Sequence, residues 1–315
     1  MANEELFITR EKLLFFYSTS KVNQQLNALN YYKAIKLKKY TDYNCRQIAE
    51  KIDMPYSAVY YWLQGFAPKS VKGLNELEAM NLLPLKINNS SSFLHFICTF
   101  GIRFADGCIY EQKRNNSFTF YLCFGDKLNA QNFVYDCEKH WSRSFSINFG
   151  SNAYYVYLPA SLARLYIVAG SPIGDKTDQV FQLPAWIHKL SDSLKFEFLN
   201  GLFSGDASTP KLKPSGVASE TIKLSLSAEK AIVEEFSQSF MLDIWKLLDG
   251  LSIDASKPKV QYNQPRIAKD GRVTYPVTVN IRSNRKNMVK FLNNVNYRYN
   301  HKGNARIPIM LESLK

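Results

Sequence analysis

A chain of 315 residues that is 46% hydrophobic and only 21% charged is long enough for two or three compact units and too apolar to be disordered. Its 40 Lys and Arg against 27 Asp and Glu leave a net charge of +13, which favours a polyanionic partner, nucleic acid or an acidic membrane surface. No stretch approaches the roughly 20 apolar residues of a membrane span, and the five cysteines and four histidines are spaced neither as a disulfide framework nor as a zinc site.

The opening MANEELFITR is too acidic for a signal peptide, so the chain reads as soluble and not secreted. In CRQIAEKIDMPYSAVYYWLQG (45–65), Ile48, Ala49 and Ile52 share one face of a short helix, and Val59, Trp62 and Leu63 share one face of a second. Ala49 supplies a small side chain where the helices touch, and Pro55 suits the start of the second, where its missing N–H is harmless. This spacing resembles the DNA-binding helix-turn-helix, with Asp53 at the turn position where glycine is usual. By that resemblance Tyr56, Ser57, Tyr60, Tyr61 and Gln64 face bases or phosphates, with Lys51 and Lys69 near the DNA backbone. A small helical domain that binds nothing, or a protein, has the same pattern. The polar LKINNSSS (85–92) marks a boundary near residue 88.

Beyond it, FGIRFADGC (100–108) and NGLFSGDAS (200–208) are similar strings that set Asp106 and Asp206 each five residues after a glycine, Gly101 and Gly201, and one after a small residue, Ala105 and Gly205. Small residues four apart on a helix allow two backbones to pack closely. If these helices meet along those faces, both carboxylates fall together at negative helix C-termini, where they repel unless a cation lies between them. Oxygen ligands of this kind suit Mg²⁺, and beside a basic surface the pair is apparatus for phosphodiester hydrolysis. Two helices serving only as core would carry the same glycines. Strands are expected at SFTFYLCF (117–124), in the hairpin 144–158, and at TIKLSLS and VTYPVTVNI. Helices are expected at NAQNFVYDCEKHW, ASLARLYIV and AEKAIVEEFSQSFMLDIWKLLDG. Residues 255–306 concentrate twelve Lys or Arg against the single acid Asp270.

At the two aspartate strings the sequence resembles the LAGLIDADG homing endonuclease family in its single-chain, two-motif form, over roughly residues 92–315. GSPIGDKTDQVFQLPAWIHKLSDSLKFEFLNGLFSGDAS (170–208) and NIRSNRKNMVKFLNNVNYRYNHKGN (280–304) extend the similarity. The resemblance implies an α+β fold: a small all-α helix-turn-helix domain (1–88), then two pseudo-symmetric αββαββα halves (89–191 and 192–315) whose strands form a saddle-shaped DNA-binding sheet. It makes Asp106 and Asp206 the metal-binding catalytic acids and Gly101, Ala105, Gly201 and Gly205 the helix interface. The basic residue it places near each scissile phosphate matches Arg282 best in the second half, with Lys127 the weaker substitute in the first. Phe104 and Ser204 replace the first aspartate of the motif, and Ala207 replaces its final glycine, straining a left-handed exit from the helix.

DNA contacts are then expected from Gln112, Lys113 and Arg114 after the first motif, Lys211 and Lys213 after the second, and Lys257, Lys259, Gln261, Arg266 and Arg272 in the basic stretch. For each of these a solvated charge is the competing reading. The implied activity is site-specific cleavage of double-stranded DNA by a monomer that needs Mg²⁺, with Mn²⁺ as substitute, in the cytoplasm or the DNA-containing compartment. The alternatives on the same scaffold are a non-catalytic DNA-binding regulator and an RNA-splicing maturase that takes intron RNA.

Overall fold

Local capping and turn chemistry set the N-terminal helices. The computed structural model describes residues 7–20, 22–112, 117–213, 220–267 and 271–314; Lys113, Arg114, Lys269 and Asp270 lie outside them. A two-residue strand β1 (Phe7–Ile8) leads into α1 (Arg10–Ser20), α2 (Val22–Tyr40), α3 (Cys45–Lys51), α4 (Tyr56–Leu63) and α5 (Lys69–Ala79), and β2 (Leu85–Lys86) returns to pair with β1. Asn44 caps α3 reciprocally: its side chain accepts the Gln47 N–H at 3.0 Å while the Gln47 side chain accepts the Asn44 N–H at 2.9 Å. Asp53, at φ 53°, takes the left-handed conformation that turns α3 into α4. Ile48, Ala49, Val59 and Trp62 close a small core with Ala34 of α2. By contrast Leu13, Leu14, Val71, Leu74 and Leu77 belong to the large core of the rest of the chain.

The first half runs α6 (Ser91–Phe104), β3 (Gly107–Gln112), β4 (Ser117–Phe124), α7 (Lys127–Trp141), β5 (Ile147–Gly150), β6 (Ala153–Leu158) and α8 (Ala160–Val168). Its antiparallel sheet has the order β3-β4-β6-β5. β4 buries alternate residues from Phe118 to Phe124, so one face packs on the helices and the other, with Thr119, Tyr121 and Cys123, stays partly open. The β5–β6 hairpin turns on Ser151 and Asn152, both at positive φ, as a two-residue loop requires.

After α9 (Ala185–His188), the second half runs α10 (Asp192–Asp206), β7 (Ile222–Glu229), α11 (Val233–Phe236), a π-helical segment (Ser237–Met241), α12 (Leu242–Gly250), β8 (Lys259–Val260), β9 (Arg266–Ile267), β10 (Val273–Ile281), α13 (Arg285–Asn294) and α14 (His301–Ser313). β10 pairs with β7 on one side and with β8 and β9 on the other. The Ala207–Leu224 bridge adds the exit from α10 beside β7, giving the same strand order as the first half. The two sheets are nevertheless unequal. Where the first half has β3, the second has an isolated bridge, and its third strand is reduced to the short pieces β8 and β9. The long helix expected from Ala228 instead begins at Val233: Ala228 is buried in β7 opposite Tyr275, so the sheet takes the first residues of that segment.

α6 and α10 cross at the centre. A Cβ built on Gly101 would overlap the Phe198 carbonyl oxygen and stand 2.8 Å from the Leu202 nitrogen; one on Gly201 would overlap the Cys98 carbonyl and stand 2.9 Å from the Ile102 nitrogen. The helices therefore touch backbone to backbone. Off this seam, Arg298 ties the halves together through Asp136 of α7 at 3.0 Å and Glu197 of α10 at 3.5 Å.

Candidate active site

The seam delivers the C-termini of α6 and α10 to one place. A Cβ on Gly205 would stand 2.6 Å from the Ala105 Cβ and 2.8 Å from Asp106 Oδ2, so the Asp106 carboxylate lies against the backbone one residue before Asp206. Asp106 keeps solvent access and Asp206 is half-buried, yet protein surrounds both closely enough for desolvation to raise both pKa values. Repulsion from Asp106 adds to the effect on Asp206, which is pushed up to about 7 against the attraction of Lys176 and Arg266. At Asp106 the shift is also upward, moderated by its open surface and by the attraction of Lys176.

Lys176, in the loop before α9, lies between the acids and the end of α6. Its ammonium donates to the carbonyls of Arg103 at 3.2 Å and Phe104 at 2.9 Å, and to that of Ala105. Those carbonyls are left without helical partners where α6 ends, and the cation also offsets the negative end of the helix dipole. Desolvation and the nearby Arg103 guanidinium pull Lys176 down to about 8, opposed by Asp206 and Asp106. Arg103 is itself buried and holds the loop in place by donating to the Gly107 carbonyl at 3.0 Å and the Pro172 carbonyl at 2.5 Å.

A second cation stands on the other side. A cavity of about 340 Å³ is lined by Asp106, Asp126, Asn129, Ser204, Gly205, His301 and Lys302 among others. Lys302 lies 3.7 Å from Asp126, and His301 is fixed by Asn129, whose Oδ1 is 2.9 Å from both the His301 backbone N–H and Nδ1. Asp206 opens instead onto a shallow depression with Ala207, Ser208, Lys223, Ser225 and Arg266. Arg266 is aligned there by the hydroxyls of Ser227 at 3.2 Å and Ser225 at 3.5 Å.

The resemblance implies Arg282 and Lys127 as the basic residues near the scissile phosphates, whereas the cations beside the acids are Lys176, Arg266 and Lys302. Arg282 pairs with Asp254 at 3.0 Å beyond the end of β10. Lys127 is exposed at the start of α7, outside the residues lining the cavity. The carbonyl cage around Lys176 forms only when a distant loop meets the end of α6, so no local pattern reports it. The signals at hand were the Gly-Lys loop of 170–176 and the basic turn of 297–302.

The departures in the two motifs also have positions. Phe104 is buried and stacks on Phe240 with ring centroids 5.0 Å apart. Ser204 donates to the Asn200 carbonyl at 2.5 Å and accepts the Tyr299 N–H at 3.1 Å. An aspartate in place of Phe104 would bury a charge among aromatic rings, and one in place of Ser204, on the cavity wall, would displace the hydroxyl that links Asn200 to Tyr299. Ala207 leaves α10 extended, at φ −101° and ψ 150°, and joins the bridge to Leu224. The anticipated left-handed strain therefore does not arise.

Of the residues expected to meet DNA, Tyr56, Ser57, Tyr60, Tyr61 and Gln64 are all exposed on one face of α4, and Lys51 and Lys69 flank it. Gln112, Lys211, Lys213, Lys257 and Lys259 are exposed, and Gln261 is half-buried with its amide on the Thr278 hydroxyl at 3.0 Å. Lys257 lies over the Trp245 ring, 5.4 Å from its centroid. Arg272 is committed internally, to Asp175 at 2.7 Å and Glu229 at 3.3 Å, so its charge locks the 175–177 loop to the second sheet. Lys113 and Arg114 lie outside the described residues.

Scaffold and site together define an α+β protein of two similar halves with an acid pair at their helical seam and cations on both sides of it. No protein-family model matches the chain. It is 25% identical over 247 residues to the DNA-directed RNA polymerase subunit Rpo1N of Methanocaldococcus jannaschii, covering 73% of this chain and 18% of that one. It is 30% identical over 155 residues to the tRNA-splicing ligase RtcB of Pyrococcus furiosus, covering 49% and 15%. With the RtcB of M. jannaschii it shares 26% over 253 residues, covering 74% and 25%. The chain thus spans a quarter or less of the length of these relatives. Similar solved structures include the homing endonuclease I-WcaI bound to its DNA recognition sequence, at 14% identity over 78% of this chain and 96% of that one, with a TM-score of 0.45. Mesophilic variants of the homing endonuclease I-DmoI give 12%, 64%, 92% and 0.39 in the same order, and the LAGLIDADG meganuclease I-AabMI bound to uncleaved DNA gives 12%, 70%, 92% and 0.34.

Proposed function

We propose that this chain is a LAGLIDADG-type endonuclease that cuts double-stranded DNA at a specific site. The observation that carries the reading is the meeting of Asp106 and Asp206 at the ends of two helices packed backbone on backbone, beside Lys176 and Arg266. A pure binding protein has no use for two crowded carboxylates where a phosphate would lie, since they repel both it and each other.

The curated relatives support the reading in another way. Their names describe an RNA polymerase subunit and an RNA ligase, which share no activity, yet overlapping lengths of this chain match both. We read the matched stretch as a segment separate from what the names describe.

The donor set fits a hard divalent cation. Asp106 and Asp206 would hold Mg²⁺ or Mn²⁺, and desolvation and mutual repulsion are the penalties such an ion relieves. Bound there, the ion supplies water activation and stabilisation of the leaving oxygen. Among the described residues no group of three or more His, Cys, Asp and Glu side chains is arranged to hold a metal, so phosphate oxygens and water complete the shell. In this reading Lys302 and Arg266 neutralise phosphate charge beside the acids, while Lys176, its ammonium on three carbonyls, holds the end of α6 and Arg103 positions the Lys176 loop. Both acids lie on one chain, so a monomer suffices. Residues 1–88 act as a helix-turn-helix anchor to the cutting halves 89–191 and 192–315.

Incubation with a randomised duplex library and Mg²⁺ or Mn²⁺ is expected to give discrete cuts. Asp106→Asn and Asp206→Asn are each expected to abolish cutting with site binding retained. Tight specific binding without cuts across metals and temperatures overturns the nuclease in favour of a regulator, and selection of intron RNA over duplex DNA points to a maturase.

A further inference from the structure

The exposed face of α4 has an unusual composition for a surface meant to lie on a polyanion. Tyr56, Tyr60 and Tyr61 are 53%, 45% and 57% exposed, and the helix Tyr56–Leu63 contains no charged residue. The rings hold one another: Tyr56 stacks on Tyr60 with centroids 6.1 Å apart, and Tyr60 meets Tyr61 edge-on at 5.8 Å. Ser57 and Gln64 lie between and beyond them on the same face. The charges lie outside this helix: Lys36, Lys38 and Lys39 near the end of α2, Arg46 and Lys51 on α3, and Lys69 at the start of α5 are exposed and outnumber the exposed acids Asp42, Glu50 and Asp53 of the same stretch.

That division of labour matches a duplex, with a cationic border for phosphates and an uncharged centre for base edges. In the major groove guanine offers two acceptors, N7 and O6, which call for a doubly donating Arg or Lys. Adenine offers an acceptor beside a donor, which a Gln amide matches bidentately, and thymine offers a methyl group, which an apolar ring face covers. The α4 face has a glutamine and three ring faces and lacks any Arg or Lys.

We infer that α4 selects a run of A·T base pairs flanking the cut site, with Gln64 reading adenine and Tyr56, Tyr60 and Tyr61 covering thymine methyl groups. The inference rests on the helix-turn-helix reading of residues 45–65 and adds the chemistry of its target. Tyrosine hydroxyls bond to any base, so discrimination comes from the methyl contacts and from the amide.

The test is selection of bound duplexes from a randomised library by the full chain without divalent metal, followed by affinity measurements in which deoxyuridine replaces thymidine. The expected result is an A·T run on one flank, an affinity loss of about fourfold for each covered methyl removed, and loss of the preference at separate positions in Tyr60→Ser and Gln64→Ala. The deoxyuridine arm changes only the DNA, so it is independent of how the variants fold. A G·C-rich flank, or indifference to deoxyuridine with the flank still protected from chemical cleavage, overturns this inference and leaves the helix-turn-helix on DNA. Protection confined to the central segment, with the tyrosine and Gln64 variants binding as the parent does, removes the helix-turn-helix reading and this inference with it.

Discussion

Three glycines near the acids differ in what they exclude. Gly101→Ala and Gly201→Ala would each drive a methyl into a backbone carbonyl, which yields only if a whole helix moves. Each is expected to cost about 3 kcal/mol or more, read as a lowered midpoint in urea. In Gly205→Ala the methyl meets the Ala105 Cβ and the Asp106 carboxylate instead. A smaller loss of stability but a larger loss of cleavage is expected, because the obstacle is one of the acids. These glycines and acids were legible in the sequence because the same short string occurs twice, 100 residues apart. Lys176 and Lys302 were not, since a lysine in a loop has no local signature of the carbonyls or carboxylate it will meet. Arg282 looked suitable for the same reason: its partner Asp254 becomes visible only when the 250s loop folds against β10.

Between the elements, α6, α7 and the 295–301 turn enclose a polar network. His95 of α6 is fully buried, with Nε2 3.4 Å from Cys137 Sγ and Nδ1 3.3 Å from the Tyr299 hydroxyl. Desolvation, Arg298 and His140 hold its pKa well below the usual 6.5, while Asp136 is engaged by Arg298 and the Tyr299 hydroxyl. The unfolded chain therefore binds a proton at His95 before the folded one does. Stability from this group is full above about pH 6.5 and falls as pH drops below it, by up to roughly 1.4 kcal/mol per pH unit. Between pH 7.5 and 5.5, thermal melts are expected to show His95→Gln, which cannot titrate, gaining stability relative to the parent as pH falls. The sequence marked α3, α4, α7, α8, β4 and the β5–β6 hairpin because each carries its own alternation, helical face or turn. It did not mark the weak β8 and β9 or the Val233 helix start, since two-residue strands have no periodicity and Ala228 is claimed by its partner Tyr275.

For the whole molecule, the boundary expected near residue 88 does not divide the core. α5 and α1 contribute Val71, Leu74, Leu77, Leu13 and Leu14 to the same core as the two halves. Glu76 also joins Arg143 at 3.2 Å and the Ser161 hydroxyl at 2.7 Å. Removing residues 1–88 would strip apolar cover from α8, so the shortened chain is expected to melt at lower temperature as well as to bind DNA more weakly. If Arg46, Lys51 and Lys69 meet phosphates, the slope of log affinity against log salt is also expected to become shallower by about 0.9 for each phosphate no longer neutralised. An unchanged melting temperature in the shortened chain would show that this cover contributes nothing. Composition favours a polyanionic partner, but does not show that part of the charge is spent internally, as with Arg272 and Arg298.

Because α6 and α10 meet through main-chain atoms, the gap between the two acids is set by peptide geometry and not by interchangeable side chains. Under the nuclease reading, redesigning the sheet surfaces for a new target would change where the molecule lands but leave the stagger between its two nicks as it was.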